Sequence, residues 1–428
     1  MDNTAPKIKD PFRTTRIAYI LESMFEYMIS IATSGVYLAK LTTTIGISDA
    51  MTAILSSVAS LAAMFQIFSI LLAHKTPVKR WVFPMTVIPQ ALVCTLYLIP
   101  FLDIGAAAPI LFLIITLTNQ AAHNIVAPAK LNWFFSPIAP NKRGDFQAKT
   151  SIVSIIGGTL FTFVAGLTID KLEAAGETDT LFIILTTVIF ALAVMQMLCL
   201  LVAKEGDTKA DKNKSPFKSA KTLLSNKAFI HIIIINALWS IANSITTPFL
   251  STYQIKELGF SMTFISTVTI VLSFLNILAV FLAGKYSIKH SYTSLFIGSY
   301  IFGLIGFGFI IFTTTANGYF MFTAYRVFNL FFGAAAGISA TGLVFSFVKE
   351  SERTSALAFK SILTGLFGFI TTLVVSPIFA DMQLGEIKLF GTTLFAQQVL
   401  SIISFVITLL ILLYYVFICR KIFSKEQE

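Results

Sequence analysis

Residues 71–80 read LLAHKTPVKR, and residues 281–290 read FLAGKYSIKH. Leu72, Ala73, Lys75 and Lys79 return as Leu282, Ala283, Lys285 and Lys289, a shift of 210 residues. The same shift carries Gln66 onto Asn276, Asn119 onto Asn329, and the stretch ending at Arg143 onto the one ending at Arg353. It also carries Ser154, Gly158, Thr162 and Gly166 onto Thr364, Gly368, Thr372 and Ser376. A period this long is far beyond that of a solenoid. It marks one half of a membrane protein copied onto the other.

Composition agrees. The 428 residues are 56% hydrophobic and 12% charged, with a mean hydropathy of +0.82, against about 25% charge in a soluble domain. No soluble core could bury so much apolar surface, so the chain belongs in a bilayer; disorder and a secreted disulfide scaffold are excluded. Cys94, Cys199 and Cys419 lie in or beside apolar runs and read as small core hydrophobes. The His residues are scattered, no phosphate-binding loop occurs, and neither metal nor cofactor is expected. The net charge of +10 sits between apolar runs, which speaks against a nucleic-acid partner. The first apolar run is too long for a cleaved signal and reads as a retained span.

A helix needs about 20 apolar residues to cross the hydrocarbon. Twelve segments qualify: 17–40, 48–73, 80–102, 106–138, 145–169, 179–203, 227–254, 262–284, 290–313, 318–348, 353–380 and 391–419. Pro89 and Pro128 are expected to bend the third and fourth. Of the 31 basic residues, 25 fall at the termini, in the central polar stretch and in the loops on that same side. Only Lys40, Lys171, Lys256 and Lys388 fall opposite. Basic residues concentrate on the cytoplasmic side, so both termini are expected in the cytoplasm. The domain reading is a six-helix bundle over 1–203, a basic linker over 204–226 and a second bundle over 227–428. Six is even, so the halves share one orientation, related by an axis along the membrane normal.

Twelve spans in two parallel halves, a basic linker and a basic loop after the second span of each half resemble the major facilitator superfamily. The resemblance covers nearly the whole chain. The family's loop runs roughly Gly-x-Leu-Ala-Asp-Arg-x-Gly-Arg-Arg. Leu72-Ala73 and Leu282-Ala283 match it, with Lys75 and Lys285 standing for the first Arg. His74 and Gly284 replace its Asp. The fifth span has Gly157-Gly158 but not the Gly-Pro motif of drug/proton antiporters. The resemblance implies an all-α, multi-pass protein of two pseudo-symmetric bundles, a secondary transporter rather than an enzyme, monomeric, in the plasma (cell inner) membrane. It implies that spans one, four, seven and ten line the cavity and that two, five, eight and eleven pack the halves together. The four-residue stripes of small side chains suit that packing role. It assigns the basic loops, with Lys75, Lys79, Arg80, Arg143, Lys285, Lys289 and Arg353, to gating.

Glu22, Glu26, Lys130 and Arg326 are embedded in apolar helix. A charge at the bilayer centre costs roughly 2.5–3.5 kcal/mol, so such groups pair, face water or serve function. At about 1.5 Å per residue, Glu26 lies ~15 Å in from Arg16 and Lys130 ~15 Å in from Pro140, so they can share a level. Glu22 lies one turn nearer the cytoplasm on the same face. Around them stand Asn119 and His123 on the fourth span, Asn236, Trp239 and Asn243 on the seventh, and Tyr325 and Asn329 on the tenth. Lys130, Arg326 and these polar and aromatic groups are the substrate-site expectation. Glu26 and Glu22 are the proton-coupling expectation. A self-neutralising Glu26–Lys130 pair is the plainer alternative. Two cations suit an anionic group; an uncharged sugar fits if both cations are paired to the acids. The expected function is a proton-coupled symporter for a small polar or anionic solute, working by alternating access. An efflux pump for amphipathic compounds and a non-transporting receptor are the alternatives.

Overall fold

The computed structural model describes residues 12–72, 77–102, 104–139, 142–206, 223–349, 352–385, 387–389 and 392–425. Lys75 and most of the linker lie outside them.

The first span runs Arg13–Ala32 and resumes as Gly35–Thr44. The second is Asp49–Ala62, a 3-10 turn at Ala63–Phe65, then Gln66–Leu72. The third is Lys79–Val93, bent by 42° into Leu96–Leu102. Ala108–Phe135, Arg143–Ala174 and Thr178–Val202 complete the first bundle. The seventh span is Lys227–Thr246 with Thr247–Phe249 and Leu250–Lys256. Met262–Lys289, Tyr292–Ile311, Gly318–Phe347 and Arg353–Leu384 follow. The twelfth is Ala396–Tyr414, which continues through a π turn at Tyr415–Cys419. Among the described residues ten helices are long and apolar enough to cross a membrane, and the bent pair adds one. The first span supplies the twelfth. It falls short in apolarity because Arg13, Arg16, Glu22 and Glu26 all lie in its first segment.

The chain is therefore the expected all-α membrane protein of twelve helices, with one small addition. Ile387–Leu389 pairs antiparallel with Thr392–Leu394 ahead of the twelfth span. The third span bends as expected, and the fourth shows no break. Pro128 sits inside an unbroken 28-residue helix. The third span bends after Val93, beyond Pro84 and Pro89. Gly35, at φ 56°, permits the break in the first span, because the left-handed region suits glycine. Pro248 opens the short turn in the seventh, where its missing N–H costs nothing.

Repeat mates behave alike. Arg143 donates to the Ile138 carbonyl at 3.4 Å and lies over the Phe135 ring. Arg353, 210 residues on, donates to the Val348 carbonyl at 3.4 Å and lies over the Phe345 ring.

The apolar packing is unequal at the two ends. Far from the termini one cluster runs through both bundles, with Tyr37, Leu38 and Leu41 joined to Phe260, Met262 and Ile265. Toward the termini each bundle has its own: Tyr19, Trp133 and Leu200 in the first, Phe229, Phe296 and Tyr415 in the second. The hydrogen bonds that join the bundles repeat the pattern, gathering at the far end. Lys256 donates to Asp49 at 2.5 Å, Gln383 to Asp49 at 2.8 Å, and the Met262 and Thr263 amides to Asp170 at 2.8 and 2.7 Å. Tyr37 and Ser266 share one at 3.2 Å.

The small-residue stripes divide between packing inside a bundle and packing across the two. Gly158 faces Tyr27 and Ile31 of the first span. Gly368 and Thr372 face Ser240 and Ser244 of the seventh. Gly158, Gly368 and Thr372 thus pack within a bundle, whereas Gly166, the last member of the first stripe, meets the other one. Gly166 against Ser266 and Gly365 against the Ser60 carbonyl are points where the bundles touch closely.

Candidate functional site

Three spans of the first bundle bring their polar groups to one point. The Lys130 ammonium donates to Glu22 Oε1 at 2.7 Å and to both oxygens of Glu26 at 2.7 Å. Gln196, from the sixth span, donates to Glu22 Oε1 at 2.9 Å. His123 Nδ1 lies 3.3 Å from Glu26 Oε1. Glu22 is fully enclosed and its Oε2 has no hydrogen-bond partner among the described residues. Glu26 retains 21% side-chain exposure and His123 50%. Helical geometry explains the convergence: Glu22 and Glu26, four residues apart, share a face, and a lysine stem long enough to lie along apolar surface reaches both. Phe134, stacked on Tyr19, faces the ammonium at 5.7 Å.

Glu26 and His123 face a pocket of about 60 Å³ with Asn119, Gln90, Gln120 and Ser30. The expected sharing of a level by Glu26 and Lys130 is met. Gln196 was not anticipated, although a lone amide in a strongly apolar 25-residue helix is a readable signal.

Arg326 stands apart. It lines two adjoining cavities between the bundles, of about 240 and 420 Å³, which also share Val36, Thr269 and Ser273. Its Nη1 donates to Thr269 Oγ1 at 3.1 Å. No carboxylate among the described residues pairs with it. Asn329, Tyr325, Asn276, Gln254 and Thr247 line the larger cavity. So Lys130 and Arg326 do not form one cationic pair: Lys130 is matched by acids within its own bundle, and Arg326 faces the space between bundles.

The seventh-span residues are mostly turned to their own helix or bundle. Asn236 donates to the Ile232 carbonyl at 2.7 Å. Asn243 accepts from Thr247 at 2.9 Å. Trp239 packs on Phe332 and Tyr300, with centroids at 4.1 and 5.6 Å, and lines none of these cavities. Among the loop cations, Lys79 bonds within its own bundle, donating to the Leu201 and Ala203 carbonyls at 2.7 Å. Arg80, Lys285 and Lys289 are exposed. Glu205, another residue the sequence did not flag, accepts from the Val78 and Lys79 amides at 2.9 and 2.8 Å. It caps the third span with the first residues of the linker.

The sequence profile of the Major Facilitator Superfamily matches residues 17–315 and 232–421. No curated protein matches. Among solved structures, a mutant form of the nucleoside transporter NupG aligns with TM-score 0.76 and 16% identity over 94% of this chain and 99% of that one. A D-xylose-proton symporter aligns with TM-score 0.67 and 14% identity, over 94% and 96%. A bacterial homologue of the human lysosomal transporter Spinster, inward-facing and unoccupied, aligns with TM-score 0.67 and 13% identity, over 96% and 97%.

Proposed function

The chain belongs to the Major Facilitator Superfamily, and from that premise we propose that it is a secondary transporter moving a small polar solute by alternating access, coupled to protons through Glu22, Glu26, Lys130 and His123. One observation carries the coupling. A single ammonium is held by two carboxylates at 2.7 Å. Two negative charges against one positive leave a surplus, which a proton on a carboxylate or on His123 cancels. Charges in a desolvated site must balance, so the cluster changes its proton content when its exposure changes. Glu26 and His123 meet the pocket and are the exchange point; Glu22 behind them is the enclosed partner. The xylose–proton symporter that shares the fold also carries a polar solute with protons.

The moving bodies are residues 1–203 and 227–428, joined by 204–226. The basic asymmetry puts both termini in the cytoplasm of a cell carrying the protein in its plasma membrane. The bundle-to-bundle bonds at Asp49, Asp170 and Tyr37 then lie on the outer side, and the cavity faces inward.

The test is Glu26→Gln in reconstituted vesicles, with a solute found by thermal-shift screening. The neutral amide mimics the protonated acid, so exchange at equal concentrations continues while accumulation driven by a pH gradient is lost. Gradient-driven accumulation that persists in Glu26→Gln and in Glu22→Gln rules the cluster out as the coupling site.

A further inference from the structure

We infer that the solute is anionic and that Arg326 alone holds its negative group, through the free edge of its guanidinium. This rests on the transporter reading above and names the class of solute.

The first step is charge. Lys130 is doubly neutralised, so it offers no net positive charge to a solute. Arg326 has no acidic partner among the described residues and lies eight residues, ~12 Å, into the tenth span Gly318–Phe347. A cation at that depth persists by pairing or by facing a watery cavity. Here it lines two of them. The group that completes the pairing is therefore brought in from outside the chain.

The second step is shape. A guanidinium carries five N–H donors in a fixed plane. Nη1 is engaged by Thr269, which fixes the plane, and the Nε–Nη2 edge has no partner among the described residues. Two parallel donors on that edge match a carboxylate or a phosphate monoester. Lysine, a point charge, would not select for this geometry.

The third step is the rest of the cavity. Asn276 and Asn329 both line the 420 Å³ space, and their amides make no hydrogen bond among the described residues. Each offers donor and acceptor to hydroxyl or amide groups on the solute's body. No acid lines either cavity among the described residues, so nothing there would hold a second, cationic group. The class is a small organic anion with a neutral, hydroxylated body.

Matched probes test this on the purified full chain. Gluconate is compared with glucose, and glycerol 3-phosphate with glycerol, against chloride at constant ionic strength. Ligands that bind the folded state raise its unfolding temperature. The expected result is a rise with at least one anion and less or none with its neutral mate. The preferred anion distinguishes carboxylate from phosphate. In Arg326→Gln apparent affinity for that anion falls roughly thirty-fold or more, while unfolding in chloride shows that the variant folds. Arg326→Lys keeps the charge but loses the fork, and recovers only part of the effect. No anion-dependent rise in the native chain, or an undiminished rise in Arg326→Gln, overturns the inference. Uptake of the same probes into vesicles separates the two claims. Binding without uptake overturns transport and leaves the anion site. Uptake of a neutral mate with no response to its anion does the reverse.

Discussion

At the scale of single residues, the cluster around Lys130 is a balance of charge in which no member is dispensable. Lys130→Met leaves Glu22 and Glu26 facing each other without a counter-charge. Breaking a buried pair by removing one partner costs about 3–5 kcal/mol, and the expected result is a large fall in unfolding temperature at neutral pH. The triple variant Lys130→Met, Glu22→Gln, Glu26→Gln carries no charge and recovers most of the loss. If the triple variant is no better than the single one, packing of the lysine stem matters more than its charge. A second prediction concerns Glu257, just past the seventh span. Burial pushes its carboxyl above the usual carboxylate range; the Gln397 hydrogen bond, at 3.1 Å, opposes this and the Asp49 charge adds to it. Its Oε2 is buried without a partner among the described residues. A carboxyl whose proton is held more tightly in the folded state stabilises below the ordinary carboxylate range, and that contribution is lost as pH rises through the raised value. Native protein should therefore lose stability relative to Glu257→Gln on going from about pH 5 to about pH 7.5. Parallel unfolding temperatures across that interval would contradict it. The embedded charges themselves were legible in the sequence, because four ionisable groups stand out against apolar helix. Their partners were not. Spacing placed Glu26 near Lys130, but nothing in one dimension tells that both acids take the same ammonium or that Arg326 takes none.

At the scale of elements, what holds the far end together is a helix terminus. Ser261 caps the eighth span from its own chain, through the Phe264 amide at 3.1 Å. Asp170, from the end of the fifth span, accepts the next free amides at Met262 and Thr263. A carboxylate at a helix N-terminus is favoured by both the orphan N–H groups and the dipole. Because donor and acceptor belong to different bundles, this cap exists only while that end is closed. Replacing a capping residue costs about 0.5–2 kcal/mol. Asp170→Ala, which removes the acceptor, should thus shift the balance toward the far-open state by roughly two- to thirty-fold. In a background without the three native cysteines, Ser273→Cys reports it. Its labelling from the far side by an impermeant reagent should quicken when Asp170→Ala is added; an unchanged rate would show that the cap does not hold the closure. A carboxylate beside a loop carries no sequence signature of a partner 92 residues away. Sequence reading expected the small-residue stripes to bridge the bundles, and only part of the first stripe does so. Four-residue spacing does reveal a close-packing face, but not which neighbour the face meets. Here that neighbour is the first or seventh span of the same bundle for Gly158, Gly368 and Thr372, and the eighth span of the other bundle for Gly166. The repeat itself was fully legible, and Arg143 and Arg353 carry it to matching carbonyls.

At the scale of the whole molecule, the two bundles meet as a closed far end and separate cores near the termini. One apolar cluster spans both bundles at the far end, whereas the two nearer the termini are confined to one bundle each. Arg326 and the Lys130 cluster lie between these regimes, one facing the gap and the other inside the first bundle. A rocking of one bundle on the other changes the surroundings of both without breaking either bundle's core, which is the economy of alternating access built on repeats. It follows that tying the far end should halt transport while leaving the solute site intact. Asp49 and Lys256 lie on opposite bundles with their charged atoms in contact at 2.5 Å, so cysteines placed at both positions are within reach of a short bis-maleimide. Applied to intact cells as an impermeant reagent, it should link them only if the far end faces outward, as the basic asymmetry requires. Linked protein should lose uptake completely, yet keep the anion-dependent rise in unfolding temperature, because the site remains open toward the linker side. Each single-cysteine protein treated alike should keep its uptake. Transport that survives the cross-link would mean that the far end need not open, and the bundles would then have to exchange access by some motion other than rocking about the site.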